Sequence, residues 1–243
     1  MAADPKEPAG AVAPRRWGLG DVLLGFAVAY GLTFLLQPLV LAATGVESGA
    51  DSSSWPLRTI ALLQIPYDGG LLVVAWLAVQ RKGSGLARDL GSRLRWPDIP
   101  IGLAVGAVAQ LLGNLIYLPL YKLTSVTEHD VAKPARELTD KASGNAAGVL
   151  LLVLVTVVMA PIVEELFFRG LVLRSAEKRW GMGWAIAFSS LLFGVTHFEL
   201  LQLPPLALFG LIAALLTVRT GRLGPAIWAH VGFNALAVAT LLL

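Results

Sequence analysis

The sequence predicts an all-α fold: a polytopic integral membrane helix bundle of about seven transmembrane helices, with six to eight as the range of threadings. Three observations predict it. Of the 243 residues, 56% are hydrophobic and only 14% are charged, whereas soluble domains carry about 25% charged residues. Most of the apolar runs reach about 18 residues or more, enough at about 1.5 Å per residue to cross roughly 30 Å of hydrocarbon. The Lys and Arg residues are banded between those runs.

The elements follow in order. Residues 1–18 are Pro/Ala-rich and lack a cleavable signal's order of charge, apolar core and small residues. They are expected to form a disordered cytoplasmic tail ahead of a membrane-embedded helical domain over 19–243. The first span is Asp21–Ala43, with Asp21 placed to cap its start. The second, Ile60–Val79, carries Asp68 beside Pro66 and Gly69-Gly70. Pairing with a neighbouring helix outweighs a substrate or proton site for that carboxylate. In the third span, Ile99–Leu120, Gln110 and Asn114 share a face and are expected to bond across helices. The loop Thr124–Ser143 mixes charges with Val131 and Leu138 and is expected to form a short surface helix. The remaining spans are Ala146–Phe168, Trp184–His197, Leu203–Val218 and Leu223–Leu243, of which the first of the last three is short, as is its successor. Trp17, Trp180 and Trp184 fall where anchoring aromatics belong.

Charge sets the threading. With the N-terminus inside, fourteen Lys and Arg residues, Arg169 among them, fall in inner segments and five in outer ones. That bias follows the positive-inside rule and predicts a multi-pass cell-membrane protein with the N-terminus cytoplasmic and the C-terminus outside. The net charge of +3 is spread over loops, so no nucleic-acid partner is expected. The absence of cysteine excludes disulfides and thiol catalysis.

The polar groups inside the apolar runs carry the function. An ionisable side chain at membrane depth costs at least about 2.5 kcal/mol, so it needs a compensating reason. Glu164 and Glu165 close an uncharged run from Ala146 to Val163, and Arg169 follows. On a helix Glu165 and Arg169 are i,i+4 neighbours that can pair. Glu164 points about 100° away, which leaves it as a general base. Solvated glutamates at a helix end are the plainer reading of this cluster alone. Phe193 and His197 stand one turn apart, as do His230 and Asn234. Each pair taken singly reads as well, or better, as interfacial or interhelical glue. Together, the three clusters can converge on one buried polar pocket. Arg169 at the inner face places that pocket in the cytoplasmic half of the bilayer.

The ordered set Glu-Glu-x-x-x-Arg, Phe-x-x-x-His and His-x-x-x-Asn resembles the CAAX-protease and bacteriocin-processing family (CPBP, also called ABI) of intramembrane glutamic endopeptidases, related to the type II CAAX prenyl endopeptidases. The resemblance covers residues 146–243. It implies hydrolysis of a peptide bond, with a membrane-embedded or lipid-modified protein or peptide as substrate and the lipid bilayer as surroundings. It further implies that Glu164 and His197 activate water, that His230 and Asn234 stabilise the oxyanion, and that Glu165, Arg169 and Phe193 support them. No cofactor and no metal ligand are expected. Two Glu, two His and an Asn could still ligate zinc, although His-Glu-x-x-His is absent. The alternatives are such a zinc-dependent protease, a non-catalytic scaffold or bacteriocin-immunity factor, and a small carrier using Asp68 and the glutamates.

Overall fold

A computed structural model of the protein describes residues 16–47 and 49–242. The tail expected over 1–18 falls mostly on residues 1–15, outside the described part. The helices are α1 (Leu19–Thr44), α2 (Leu57–Lys82), α3 (Leu86–Asp89), α4 (Asp98–Leu123), α5 (Glu128–Ala142), α6 (Ala146–Trp180), α7 (Met182–Val195), α8 (Leu203–Thr220) and α9 (Gly224–Leu242). Six of these (α1, α2, α4, α6, α8 and α9) are long and apolar enough to cross a membrane, and α7, with 14 residues, is a shorter apolar helix. The protein is thus an all-helical, multi-pass membrane bundle, as the length and composition of its apolar runs require.

Its surface is apolar where lipid would lie. Leu23, Phe34, Leu35 and Leu39 of α1 are exposed, as are Ile101, Val108, Leu111 and Leu115 of α4. The core runs down the middle, through Leu71 and Ala75 of α2, Phe167, Phe168 and Leu171 of α6, Phe193 of α7, Phe209 of α8 and Ala229 of α9. α6 is the central element and touches α1, α2, α5, α7, α8 and α9.

Small residues let the outer helices approach. A Cβ at Gly106 of α4 would overlap the Ala229 carbonyl of α9, and one at Gly70 of α2 would meet the backbone of Ala29 in α1. Gly106→Ala is therefore expected to lower stability by about 1–3 kcal/mol, the usual cost of overpacking a tight contact. Thermal unfolding in detergent reads this directly. Unchanged melting would mean that α4 and α9 part freely.

Several elements depart from the sequence expectations. The fourth span does not stop at Phe168: it continues to Trp180 as a 35-residue helix, because Arg169 is fully buried and paired and marks no membrane face. Trp17 is buried and is no interfacial anchor, whereas Trp180 and Trp184 are exposed. Gln110 and Asn114 bond each other along one face of α4 at 3.4 Å and do not reach another helix. Asp68 takes its hydrogen bond from Gln64 of its own helix at 2.8 Å. The loop helix does form. Thr127 and Asp130 close a capping box at the start of α5, and the Thr127 hydroxyl and N–H hold Asp130 below the usual carboxylate range. Asp21 caps α1 by accepting the Gly18 N–H at 2.9 Å and also pairs with Lys82.

Hydrogen bonds between chain-distant loops define two ends. At the first, the Arg16 N–H donates to the Lys82 carbonyl (2.8 Å), Leu223 N–H to Gly91 (2.8 Å), and Arg222 pairs with Asp98 at 2.6 Å. At the second, Arg58 donates to the Thr44 carbonyl, Lys141 to Ser53, and Gln202 to Val131, while the Tyr117 hydroxyl donates to the Leu201 carbonyl. Of the fourteen cations assigned to inner segments, Arg169 lies in the core, and Lys6 and Arg15 fall outside the described residues. The other eleven lie at the first end, against five at the second.

Candidate active site

Glu164 and Glu165 lie midway along α6, in a six-residue α-helical stretch (Ala160–Glu165) between two π-helical turns, Val153–Met159 and Leu166–Val172. The first of these turns has a physical cause. In the i→i−5 register, with the Ala160 N–H bonded to the Val155 carbonyl, the next donor would serve Thr156. That donor is missing, because residue 161 is proline and has no N–H. The orphaned Thr156 carbonyl is satisfied from another helix: the Asn234 side-chain amide of α9 donates to it at 2.7 Å. Pro161 and Asn234 thereby tie the middle of α6 to α9, and one amide N–H of Asn234 remains for other use.

Behind Glu164 lies a buried hub. Glu165 Oε1 accepts from Arg169 at 2.9 Å and from His230 Nδ1 at 2.9 Å. Arg169 donates further to the Gly210 carbonyl of α8 at 3.1 Å and lies over the Phe193 ring, 4.7 Å from its centroid. Phe193 meets His197 edge-on at 4.9 Å and His230 at 5.5 Å. One ring of α7 thus separates and orients two imidazoles, and the i,i+4 pairing of Glu165 with Arg169 is present. Ser189 and Ser190 spend their hydroxyls on backbone carbonyls of Phe168 and Ile186.

These contacts fix the histidines. His197 Nδ1 sits 2.8 Å from the Phe193 carbonyl, which only accepts. Nδ1 therefore carries the proton, and in the neutral ring Nε2 is a free acceptor. His230 Nδ1 likewise donates to Glu165, which leaves its Nε2 facing Glu164 Oε2 at 3.7 Å. That spacing is too long for a direct hydrogen bond.

Glu164, His197, His230 and Asn234 all line one cavity of about 210 Å³, walled also by Leu57, Leu138, Leu152, Val155 and Leu206. Glu165, Arg169 and Phe193 form the layer behind. A wider cavity of about 500 Å³, bounded by Tyr30, Tyr67, Trp55, Thr196 and Phe198, shares Ile60, Gln64, Glu164 and His197 with it. The two spaces meet at the carboxylate. Phe198 has a positive φ of 56°, an uncommon conformation for a bulky residue that puts local strain next to His197. Among the described residues no group of three His, Asp or Glu side chains is gathered as metal ligands.

Arg169 is fully buried in the core, so the expectation that it marks a membrane face beside the site is corrected. Ser52, Trp55, Leu57, Leu138 and Phe198 belong to the second end, so the cavities open there. Two contributors escaped the sequence reading. Gln64 donates its amide N–H to Asp68 and lines both cavities. The signal was present as Gln-x-x-x-Asp inside an apolar span. The Thr156 carbonyl is the other, and only Pro161 five residues later hints at it.

Residues 146–236 match the family described as type II CAAX prenyl endopeptidase Rce1-like. The matched segment holds every residue of the cluster. The chain is similar to the protein named "Putative membrane peptidase YdiL" of Bacillus subtilis (strain 168), 31% identical over 88 residues, 36% of each chain. It is also similar to an uncharacterized 24.3 kDa protein of Escherichia coli, 31% identical over 133 residues, 52% of this chain and 57% of that one. The matches therefore span between a third and three fifths of these relatives. No solved structure matches the chain.

Proposed function

We propose that the protein is an intramembrane endopeptidase that hydrolyses a peptide bond of a membrane-associated protein or lipid-modified peptide with a glutamate-activated water. The observation that carries this reading is the convergence of Glu164, His197, His230 and Asn234 on one cavity. A water between Glu164 and His197 gives its proton to Glu164 as its oxygen bonds to the peptide carbonyl carbon. The second amide N–H of Asn234 and His230, when protonated at Nε2, donate to the oxyanion. As the C–N bond breaks, the proton passes to the leaving amine. Glu165 and Arg169 hold His230 in place and do not touch the reactants.

The test is peptide release from apolar, quenched-fluorescent peptides by the protein in proteoliposomes. Wild type is expected to cleave and Glu164→Ala is not. Asn234→Ala is expected to lower kcat by about 10²–10³-fold, the loss seen when an oxyanion donor is removed. An Asn234→Ala protein that melts lower but turns over normally would assign the amide to the Thr156 carbonyl alone. A chelator is expected to leave the rate unchanged, and complete, zinc-reversible inhibition would move the reading to a zinc protease.

We also infer an orientation. Reporter fusions after Gly91 and Gly181 are expected to read cytoplasmic, and those after Ser52 and Ala142 outside, because the cation-rich end stays in the cytoplasm. The same side for Gly181 and Ala142 would mean that α6 does not cross.

A further inference from the structure

The cavities have a side, and the charges have a side, and the two are opposite. Walls of the two cavities come from the loop after α1 (Ser52, Trp55), the start of α2 (Leu57, Ile60), α5 (Leu138) and the α7–α8 loop (Thr196, Phe198). The bonds of Lys141 to Ser53 and Gln202 to Val131 gather these elements at the second end. That end carries five of the Lys and Arg residues, and the first end carries eleven among the described residues. From the first end the site is shut off. Leu90 packs against Gly170, and Phe167, Phe168, Leu171 and Val172 are buried between the glutamates and that end.

We propose that the active-site cavity opens to the non-cytoplasmic side, so that its substrate is a peptide segment presented at the outer surface of the membrane, from an exported or membrane-spanning protein. This rests on the peptidase reading above and deepens it. The cation-rich end is retained in the cytoplasm because Lys and Arg within about 15–20 residues of a span resist translocation, and the cavity mouth then faces out. A lipid-modified C-terminus displayed at the cytoplasmic face would have to pass the buried aromatic layer of α6 to reach Glu164. A segment at the outer surface meets Trp55, Tyr30 and Phe198 first, and these aromatics suit an apolar chain lying at an interface.

The chain has no cysteine, so single cysteines report their own side without background. Intact cells carrying Ser52→Cys or Phe198→Cys at the mouth, or Arg179→Cys at the first end, are treated with a membrane-impermeant maleimide before and after permeabilisation. The mouth cysteines are expected to label in intact cells, and Arg179→Cys only once the membrane is opened. Blocking Phe198→Cys from outside is also expected to slow release from an impermeant, apolar, quenched-fluorescent peptide added to the same cells, at least several-fold. Mouth cysteines that label only after permeabilisation, or in neither state, overturn the proposal. Labelling from outside with no peptide cleaved by any preparation leaves the opening in place and removes the peptidase reading instead.

Discussion

Glu164→Gln is expected to abolish measurable turnover while leaving the protein folded and able to hold peptide. The amide keeps the length and hydrogen-bonding shape of the carboxylate but cannot take a proton from water. Glu164 is the one carboxylate that lines both cavities, and its Oε2 lies 3.7 Å from His230 Nε2 without a direct bond. It therefore faces both cavities and is not committed to a structural partner. General acid–base contributions are about 10²–10⁴-fold, so kcat should fall by that factor with KM little changed. Melting temperature and the binding of a fluorescent peptide serve as controls. Full activity in Glu164→Gln would reject the glutamate as base. Lost cleavage together with unchanged partner binding would then be compared with the effect in cells: protection by the inactive variant equal to wild type would favour the scaffold.

Much of this was legible in the sequence because the bilayer imposes length and apolarity on whole segments. Asp21–Ala43 and Ile60–Val79 fall inside α1 and α2 on that ground alone. The cluster was legible because a polar residue in such a run needs a reason, and i,i+4 spacing puts Glu165 with Arg169 and His230 with Asn234 on common faces. What failed shares one cause. A charge read along the chain looks like a membrane boundary, and Arg169 was counted so, although its guanidinium is enclosed by Glu165, the Gly210 carbonyl and Phe193. Pairing between helices is invisible to composition, so the end of α6 was misplaced and a core cation was taken to mark a membrane face. Gln64 and the Thr156 carbonyl were missed for a related reason. The role of Gln64 depends on Asp68 fixing its amide, and that of the carbonyl on a proline removing its donor.

Arg169→Leu is expected to cost about 3–5 kcal/mol of stability, because removing one partner of a buried ion pair leaves the other charge uncompensated. Both side chains are fully buried, and they meet at 2.9 Å. Loss of the guanidinium leaves Glu165 with His230 as its remaining partner and also frees the Gly210 carbonyl of α8. The consequence should reach the site. With its hub weakened, His230 is held less firmly opposite Glu164, so kcat should fall in the fraction that remains folded. Arg169→Lys separates charge from shape. A lysine can still pair with Glu165 but cannot donate at the same time to Gly210 with a planar fork, so it should recover part of the stability and less of the rate. The double change Glu165→Gln with Arg169→Leu removes both charges and should be less damaging to folding than Arg169→Leu alone, since no buried ion is left unpaired. It should still be slow, because His230 then lacks its anionic anchor. Thermal melts of the four proteins in one detergent, with kcat on the same peptide, give both readings. A single variant as stable as wild type would mean that the Arg169 and Glu165 charges are hydrated, and that the core around Phe193 is open to water.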